Sequence, residues 1–449
     1  MSVTAVQVLH KLCRVKFYSE LIISCYMLYY SEGSVEKNIS RDELKSGLFE
    51  ALGKIGKRKK VLVVPPDITR FHSQAGILTE YSWEYYKDSL TDILPAIGTH
   101  YRMTESEIKT MYGKVPSGLF RVHDWKTGLH TLGIVPPDYV KDISGGAVDY
   151  SIPIQVDELL VNGNFDLILS IGQVVPHEVI GMANHNKNIF IGTGGREGIN
   201  KSHFLGAAYG MEKIMGRADT PVKRVLNYGS DHFAGNMPII YVLTVVGKDD
   251  EGNLAVKGLY VGDDIECFNL AAELSLKVNF VMLDQPLKKI VVFLDPSEFK
   301  TTWLGNKAVY RTRMAIADGG ELIVLAPGLK AFGEDPGNDK IIRKYGYVNT
   351  PEVLALVKQN EDLQGSLGAA AHLIHGSSEG RFSITYCPGK ISREEMESVN
   401  FQYGSLDEAL KKYNPDNLKD GINILPGGEE IFYISNPALG LWAYKGKFI

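Results

Sequence analysis

The sequence contains few cysteines and no dense run of charge of either sign. Its four cysteines, Cys13, Cys25, Cys267 and Cys387, show no CxxC spacing. This pattern argues against a disulfide framework and against structural zinc, and it favours reduced thiols in the cytoplasm. The formal net charge of −5 comes without a basic tract. We therefore expect neither nucleic acid nor a membrane surface as a partner.

No apolar stretch reaches the roughly 20 residues that a membrane-spanning helix requires. The apolar run at 21–30, LIISCYMLYY, is too short, and no small-residue cleavage site of a signal peptide follows it. We hypothesise that residues 1–26 are an extension and that the native chain starts at Met27. Mass spectrometry of the protein from its native source tests this hypothesis, and an intact Met1 would contradict it.

Apolar runs rich in β-branched residues alternate with helical patterns along the chain. Because these runs are continuously hydrophobic, they predict strands buried on both faces, as in mainly parallel sheets. Helices are predicted between them, including 203–216 and 306–318. One segment, 239–263, predicts an antiparallel hairpin around an Asp-Asp-Glu-Gly-Asn turn. The six predicted strands are 59–67, 165–173, 289–296, 321–327, 382–388 and 430–437.

This order predicts an α/β protein made of two mixed α/β domains with mainly parallel sheets and an active-site cleft between them. Its length of 449 residues suits two to three domains at about 150 residues each. We place a lead-in at 1–40, an amino-terminal cofactor-binding catalytic domain at 41–280 and a carboxyl-terminal α/β domain at 281–449.

The richest stretch for chemistry is 172–206, which holds His177, His185, Lys187 and His203 among several glycines. Histidine and lysine supply the proton acceptor, the amine nucleophile and the metal ligand that a catalytic centre needs. The glycine run GTGGREG (192–198) is similar to a phosphate-binding nest. A glycine loop with helix-capping residues is the structural alternative. The convergence of His, Lys and Arg at strand and loop ends favours a ligand site.

Two further loops carry candidate side chains. PPDITRFH (65–72) directly follows a predicted strand, so Asp67 and Arg70 should lie at its carboxyl end, where α/β sheets bind ligands. Arg70 could pair with a carboxylate or phosphate, although a locally stabilised turn remains the alternative. GTHYRMT (98–104) places His100 in a loop before a helix cap, and a solvated histidine is the alternative there.

In the second domain, Lys307 and Arg311 are four residues apart on a predicted helix, beside Tyr310. Such a face could hold an anionic substrate, and a solvated basic surface is the alternative. The HxxH sequence at 372–375 lacks a complete set of metal ligands, and we interpret its two histidines as structural.

Taken together, these motifs resemble the lactate racemase family of nickel-pincer-dependent 2-hydroxyacid racemases and epimerases. The resemblance extends from about residue 40 to the end. It rests on PDITR (66–70), GTH (98–100), PH (176–177), the ordered Lys187 and His203, and GNKAVYR with the following DGG within 305–320.

The resemblance implies a cofactor, a nickel-bearing pyridinium-3,5-bisthiocarboxylic acid mononucleotide. By this resemblance Lys187 would hold the cofactor covalently, His203 would be the protein's ligand to nickel, and Asp67 would lie near the cofactor. Separate cofactor-biosynthesis enzymes would be partners of this chain. No oligomeric state is implied.

The resemblance also implies the handling of a small 2-hydroxy acid. His100 and His177 would be the paired acid and base residues, and Arg70 and Lys307 would hold the substrate carboxylate. Hydride transfer from C2, with a histidine taking the hydroxyl proton, gives a planar 2-keto acid whose other face can receive the hydride.

The chain departs from the lactate enzymes where GMANHNK (181–187) replaces a GFSGGAK-like run, and where Leu304 replaces a polar residue. These changes indicate a longer or polyhydroxylated acid as an alternative to lactate. Two other functions remain open. A nicotinamide-dependent 2-hydroxyacid dehydrogenase lacks support because no GxGxxG fingerprint follows a strand. A non-catalytic cofactor-binding protein would not need His100 and His177.

Overall fold

The computed structural model describes residues 27–448 together with the backbone of two short strands, Arg14–Lys16 and Ser24–Tyr26. Apart from these strands, the segment 1–26 lies outside the described residues. The structure therefore does not test the hypothesis that the native chain starts at Met27. Within the described part, no helix combines the length and apolar character needed to cross a membrane.

Strands and helices alternate along most of the chain. The strands are β1 Arg14–Lys16, β2 Ser24–Tyr26, β3 Leu28–Gly33, β4 Val61–Val64, β5 Leu90–Ile93, β6 Leu129–Val135, β7 Ile152–Asp157, β8 Leu167–Gln173, β9 Pro176–His177, β10 Gly181–Met182, β11 Ile239–Lys248, β12 Leu254–Gly262, β13 Phe280–Leu283, β14 Leu287–Phe293, β15 Ile316–Ala326, β16 Ser383–Pro388, β17 Gln402–Tyr403, β18 Gly421–Ile424, β19 Glu430–Ile434 and β20 Leu441–Tyr444.

The helices are α1 Arg41–Ile55, α2 Ala75–Tyr86, α3 Glu105–Tyr112, α4 Pro137–Ile143, α5 Glu158–Asn162, α6 Asn186–Phe190, α7 Arg196–Tyr209, α8 Met211–Ile214, α9 Pro221–Phe233, α10 Ile265–Asn279, α11 Thr302–Gly305, α12 Lys307–Tyr310, α13 Pro336–Tyr345, α14 Thr350–Gln359, α15 Glu361–Gln364, α16 Leu367–His375, α17 Arg393–Ser398 and α18 Leu406–Lys412.

Two six-stranded sheets organise the molecule. The first has the order β3-β12-β11-β8-β4-β5, and the second has the order β17-β16-β15-β14-β19-β18. Pairing is parallel from β11 through β8 and β4 to β5, and again from β17 to β19. The predicted α/β class with mainly parallel sheets is therefore confirmed. The predicted hairpin is also present, as the antiparallel pair β11 and β12.

The central strands of both sheets are buried, as their continuous hydrophobicity predicts. All four residues of β4 are buried, and so are six of the seven residues of β8. The two halves of the chain also contact each other away from the sheets. Strand β13 pairs with the carboxyl-terminal β20, and the fully buried Arg313 forms an ion pair with Glu212 at 2.9 Å.

Two predicted helices have different bounds in the structure. Helix α7 begins at Arg196, seven residues before the predicted start at 203. The predicted helix 306–318 is wrong: helical structure stops at Tyr310, and residue 316 already belongs to β15. The cause is tertiary burial, since Arg313 lies in the turn between them and is held there by Glu212.

Candidate active site

The site forms where parallel strands of the first sheet end. Asp67 and Arg70 follow β4, His100 follows β5, and His177 follows β8. Because these three strands are parallel neighbours, their carboxyl ends lie along one edge of the sheet. The topology therefore brings together side chains that are up to 110 positions apart in the sequence.

Helix α6 carries Lys187 into this edge. Asn188 anchors the helix: its Nδ2 donates to the Val64 carbonyl at 2.9 Å and to Ser170 Oγ at 3.0 Å. Lys187 is half-buried between buried neighbours. Burial lowers the pKa of its amine to about 8, and the positive charge of Arg70 contributes in the same direction. A lysine with this pKa is a competent nucleophile near neutral pH.

His203 lies in the middle of α7, and its tautomer follows from its hydrogen bond. Its Nδ1 is 2.7 Å from the Ile199 carbonyl oxygen, and a carbonyl only accepts, so Nδ1 carries the proton. Nε2 therefore keeps a lone pair. Burial lowers the pKa of His203 to about 4, with a contribution from the charge of Lys187. The ring is a neutral imidazole at physiological pH, which is the form that binds metals.

His177 is buried, and a backbone contact fixes its tautomer. The Val179 N–H donates to Nδ1 at 3.1 Å, so the proton of the neutral ring lies on Nε2. Burial holds the pKa of His177 well below its usual range, and the charges of Lys187 and Arg70 lower it further. The structure thus brings together His177, Lys187, His203 and Arg70.

His100 lies at the exposed rim and forms a dyad with Asp67. Its Nδ1 is 2.6 Å from Asp67 Oδ2, and the His100 side chain is 60% exposed whereas that of Asp67 is 6% exposed. Burial alone raises the pKa of Asp67, but the hydrogen bond and charge of His100 outweigh this effect and lower it. The Asp67 carboxylate accepts from His100 Nδ1–H and thereby orients the ring.

The carboxyl-terminal half of the chain contributes Lys307, from the short helix α12. Its Nζ is 3.8 Å from Glu298 and 5.4 Å from the centre of the Phe299 ring. Burial lowers the pKa of Lys307, and the charges of Arg311 and Arg70 act in the same direction. Arg70 therefore lies within electrostatic reach of Lys307.

Glu178 and His375 also belong to the cluster, although the sequence did not predict it, and they lie near Arg311, which the sequence did single out. Glu178 Oε2 is 3.9 Å from His177 Nδ1 and 3.9 Å from Arg311 Nη2. The pKa of His375, in the HxxH sequence, is raised by the charge of Glu178 and lowered by that of His203. Its partner in the motif, His372, stacks on Trp303 at 4.2 Å outside the cluster. Glu178 directly follows His177, and this adjacency was the only signal available.

His185 lies beside the cluster in an unusual conformation. Its φ is +57° and the φ of Asn184 is +69°, values that glycine adopts without strain. The ring is buried, and neither nitrogen makes a hydrogen bond; it packs against Tyr241 at 3.9 Å between ring centres. The two glycines of a GFSGGAK-like run would adopt this backbone freely, so the same turn is kept here by larger side chains.

The glycine run 192–198 packs closely and does not form the predicted nest. Gly192, Gly194, Gly195 and Gly198, all in the described part of the chain, have no positive φ. A Cβ on Gly194 would lie 2.0 Å from the Phe190 carbonyl oxygen. These glycines therefore allow the backbones around α6 and α7 to approach.

The amino-acid sequence of this part of the chain matches a known protein family. Residues 43–214 match the family described as lactate racemase N-terminal domain. These residues are therefore similar to the N-terminal domain of lactate racemases. The resemblance stated from the motifs is thereby confirmed.

Two solved structures share the fold of this lactate racemase-like chain. A protein from Thermotoga maritima is 25% identical with a TM-score of 0.75, covering 92% of this chain and 100% of its own. The lactate racemase apoprotein from Thermoanaerobacterium thermosaccharolyticum is 16% identical with a TM-score of 0.67, covering 96% of this chain and 99% of its own. No curated protein sequence gives a significant match.

Proposed function

We propose that this chain is a racemase or epimerase that inverts C2 of a 2-hydroxy acid with a nickel-pincer nucleotide attached to Lys187. The observation that carries the proposal is the pairing of an amine of lowered pKa, Lys187, with the open Nε2 of His203. The lactate racemase family match over 43–214 supports it. Lactate and a longer or polyhydroxylated 2-hydroxy acid are both candidate substrates.

The residues fit the proposed cofactor. Among the described residues, no three His, Cys, Asp or Glu side chains converge to hold a metal on their own. Nickel here would therefore take one nitrogen from His203 and its other donors from the cofactor. Imidazole nitrogen and sulfur are ligands that nickel accepts. Asp67 is engaged by His100, so we assign it a positioning role in place of the cofactor contact expected from the resemblance.

The cationic pair Arg70 and Lys307 would bind the substrate carboxylate. They come from different halves of the chain, so a substrate held between them would lie where the two halves meet. Arg70 offers a bidentate fork, and Lys307 offers a point charge. Because burial already lowers the pKa of Lys307, an anion bound beside it would stabilise its charged form.

The two histidines would handle the hydroxyl proton. His100 presents Nε2 as an acceptor because Asp67 holds the proton on Nδ1, and the carboxylate would stabilise the positive charge that the ring gains. His177 in its neutral form would donate a hydrogen bond from Nε2–H to the C2 oxygen, and the proton that His100 takes from the hydroxyl would return to that oxygen from His100. When bound, the cofactor supplies a hydride acceptor that returns the hydride to either face of the planar carbon.

The test is to express the chain with the cofactor-building enzymes and to follow C2 configuration by chiral chromatography across a panel of 2-hydroxy acids. We expect inversion of at least one acid, together with nickel and a mass increase located on Lys187. His100→Ala and His177→Ala should lose turnover while keeping nickel and the modified Lys187. His130→Ala, an exposed histidine of β6, is the matched control and should be unaffected.

Three results would contradict the proposal. An unmodified Lys187 without nickel would remove its main support. Oxidation of the acid with reduction of added NAD would identify a dehydrogenase. A loaded protein that inverts none of the acids would indicate a non-catalytic cofactor-binding protein.

A further inference from the structure

Glu178 is a carboxylate acceptor within the cluster of candidate residues, and it has spare hydrogen-bonding capacity. Its side chain is 22% exposed, and Oε2 lies 3.9 Å from both His177 Nδ1 and Arg311 Nη2. These distances exceed the 2.7–3.2 Å range of N–H···O hydrogen bonds. Burial raises the pKa of Glu178, but the charges of His177 and Arg311 outweigh burial and hold it well below its usual range. Glu178 is therefore ionised and only loosely contacted by its cationic neighbours.

Two buried nitrogens near this carboxylate have no hydrogen-bond partner. Arg311 is 7% exposed and His375 is 5% exposed, yet Arg311 Nε and His375 Nε2 are unpaired. Buried polar atoms are nearly always paired, and an exception calls for an explanation such as a ligand. The other end of the Arg311 guanidinium reaches the Gly440 carbonyl through Nη1 at 3.4 Å, which fixes its position.

These groups belong to the proposed site. The charge of Glu178 acts on Lys187, on His203 and on Lys307, the residues assigned to cofactor and substrate carboxylate. The carboxylate also lies within reach of the Tyr310 hydroxyl. Glu178 is therefore close enough to these residues to contact a substrate that they hold at C1 and C2.

We propose that Glu178, Arg311 and His375 form a subsite for a hydroxyl group beyond C2, so that the substrate is a polyhydroxy monocarboxylic acid. This inference rests on the proposed function. A hydroxyl donates one hydrogen bond and accepts others. It can therefore donate to the Glu178 carboxylate while accepting from Arg311 Nε or from His375.

Two other substituents fit the same groups poorly. A methyl group, as in lactate, would displace water and leave the carboxylate and both nitrogens unpaired. A second carboxylate could pair with Arg311, but it would meet the negative charge of Glu178, which lies 3.9 Å from that arginine. Sites built to hydrogen-bond a hydroxyl reject the analogue without it by up to about 10⁴–10⁵-fold. Since this subsite keeps some solvent access, we expect a smaller preference of about 100-fold.

The test compares matched acids on the cofactor-loaded protein. The panel is 2-hydroxybutanoate, 2,3-dihydroxybutanoate, 2,4-dihydroxybutanoate and malate, with kcat/KM measured for inversion at C2 and Kd measured by calorimetry. We expect a dihydroxy acid to exceed 2-hydroxybutanoate by about 100-fold in kcat/KM and to bind more tightly. Malate should be no better than 2-hydroxybutanoate.

Glu178→Gln isolates the carboxylate, because it keeps the size of the side chain and removes its charge. We expect the preference for the dihydroxy acid to fall at least about tenfold, while the rate with 2-hydroxybutanoate changes less. Glu394→Gln, an exposed residue of α17, is the matched control and should keep the preference. Thermal unfolding of both variants verifies that they fold, and calorimetry gives the binding preference even where turnover is lost.

The outcomes separate this inference from the proposed function. If no acid is inverted by nickel-loaded protein, the proposed function fails. If 2-hydroxybutanoate is inverted as efficiently as the dihydroxy acids, the function stands and the hydroxyl subsite is wrong. A preference for malate would assign the subsite to a second carboxylate and would likewise overturn the inference, as would a Glu178→Gln variant that keeps the full preference for the dihydroxy acid.

Discussion

The ε-amino group of Lys187 should titrate near neutrality, because burial and the charge of Arg70 lower its pKa to about 8 from an ordinary 10.5. At pH 7.5 an amine of pKa 8 is about one quarter neutral, whereas one of pKa 10.5 is about one thousandth neutral. Only the neutral amine is nucleophilic. At this pH Lys187 should therefore have about 200-fold more of its amine in the reactive neutral form than its ordinary pKa would allow.

Trace acetylation of the cofactor-free protein between pH 6.5 and 10, followed by peptide mass spectrometry, measures this directly. The rate at Lys187 should rise and level off with a midpoint near pH 8. The exposed Lys141 in the same digest is the internal reference and should continue to gain reactivity toward pH 10. Arg70→Gln removes a neighbouring positive charge, so the midpoint of Lys187 should move upward.

A Lys187 profile that parallels that of Lys141 through pH 10 would refute the reasoning, since it would mean that burial does not act on the amine. An unchanged midpoint in Arg70→Gln would show that the arginine is not electrostatically coupled to the lysine.

Three other perturbations give separate outcomes. Asp67→Asn should lower kcat by about 100-fold or more, because the amide no longer fixes the tautomer of His100. The KM and the nickel content should stay near those of the parent protein. Loss of nickel would instead indicate that Asp67 contacts the cofactor. His203→Ala should lose nickel, measured by elemental analysis, and retained stoichiometric nickel would show that another ligand holds it. His372 and His375 are buried with pKa values lowered to about 3, so the unfolded chain binds their protons first as the pH falls. Unfolding free energy should therefore decrease from pH 6.5 downward, by about 2 kcal/mol per histidine at pH 5, and a denaturation midpoint unchanged between pH 7 and pH 5 would contradict this.

Local patterns were sufficient for the buried strands β4, β8, β14, β15, β16 and β19 and for the hairpin of β11 and β12, but not for the shorter strands such as β5, which precedes His100. Strands buried on both faces appear as continuous apolar runs, and parallel pairing fixes where their carboxyl ends lie. For that reason the placement of Asp67, Arg70 and His177 at strand ends could be predicted without a structure.

Contacts between segments that are far apart in the sequence could not be predicted from local patterns. The segment 306–318 has helical periodicity, but burial of Arg313 against Glu212 ends the helix after one turn. Glu178 and His375 come within electrostatic reach of each other only because the two halves of the chain fold together. Their sequence contexts, beside His177 and within an HxxH run, gave no indication of that meeting.

The central claim is hydride transfer at C2, and the fate of the C2 hydrogen tests it most directly. Cofactor-loaded protein would be given a C2-deuterated 2-hydroxy acid in ordinary water, and the deuterium content of both C2 configurations would be measured as inversion proceeds. A hydride shielded from solvent predicts that deuterium is retained in both configurations. Deuterium lost to solvent in step with inversion would mean that C2 is deprotonated, and it would contradict this account.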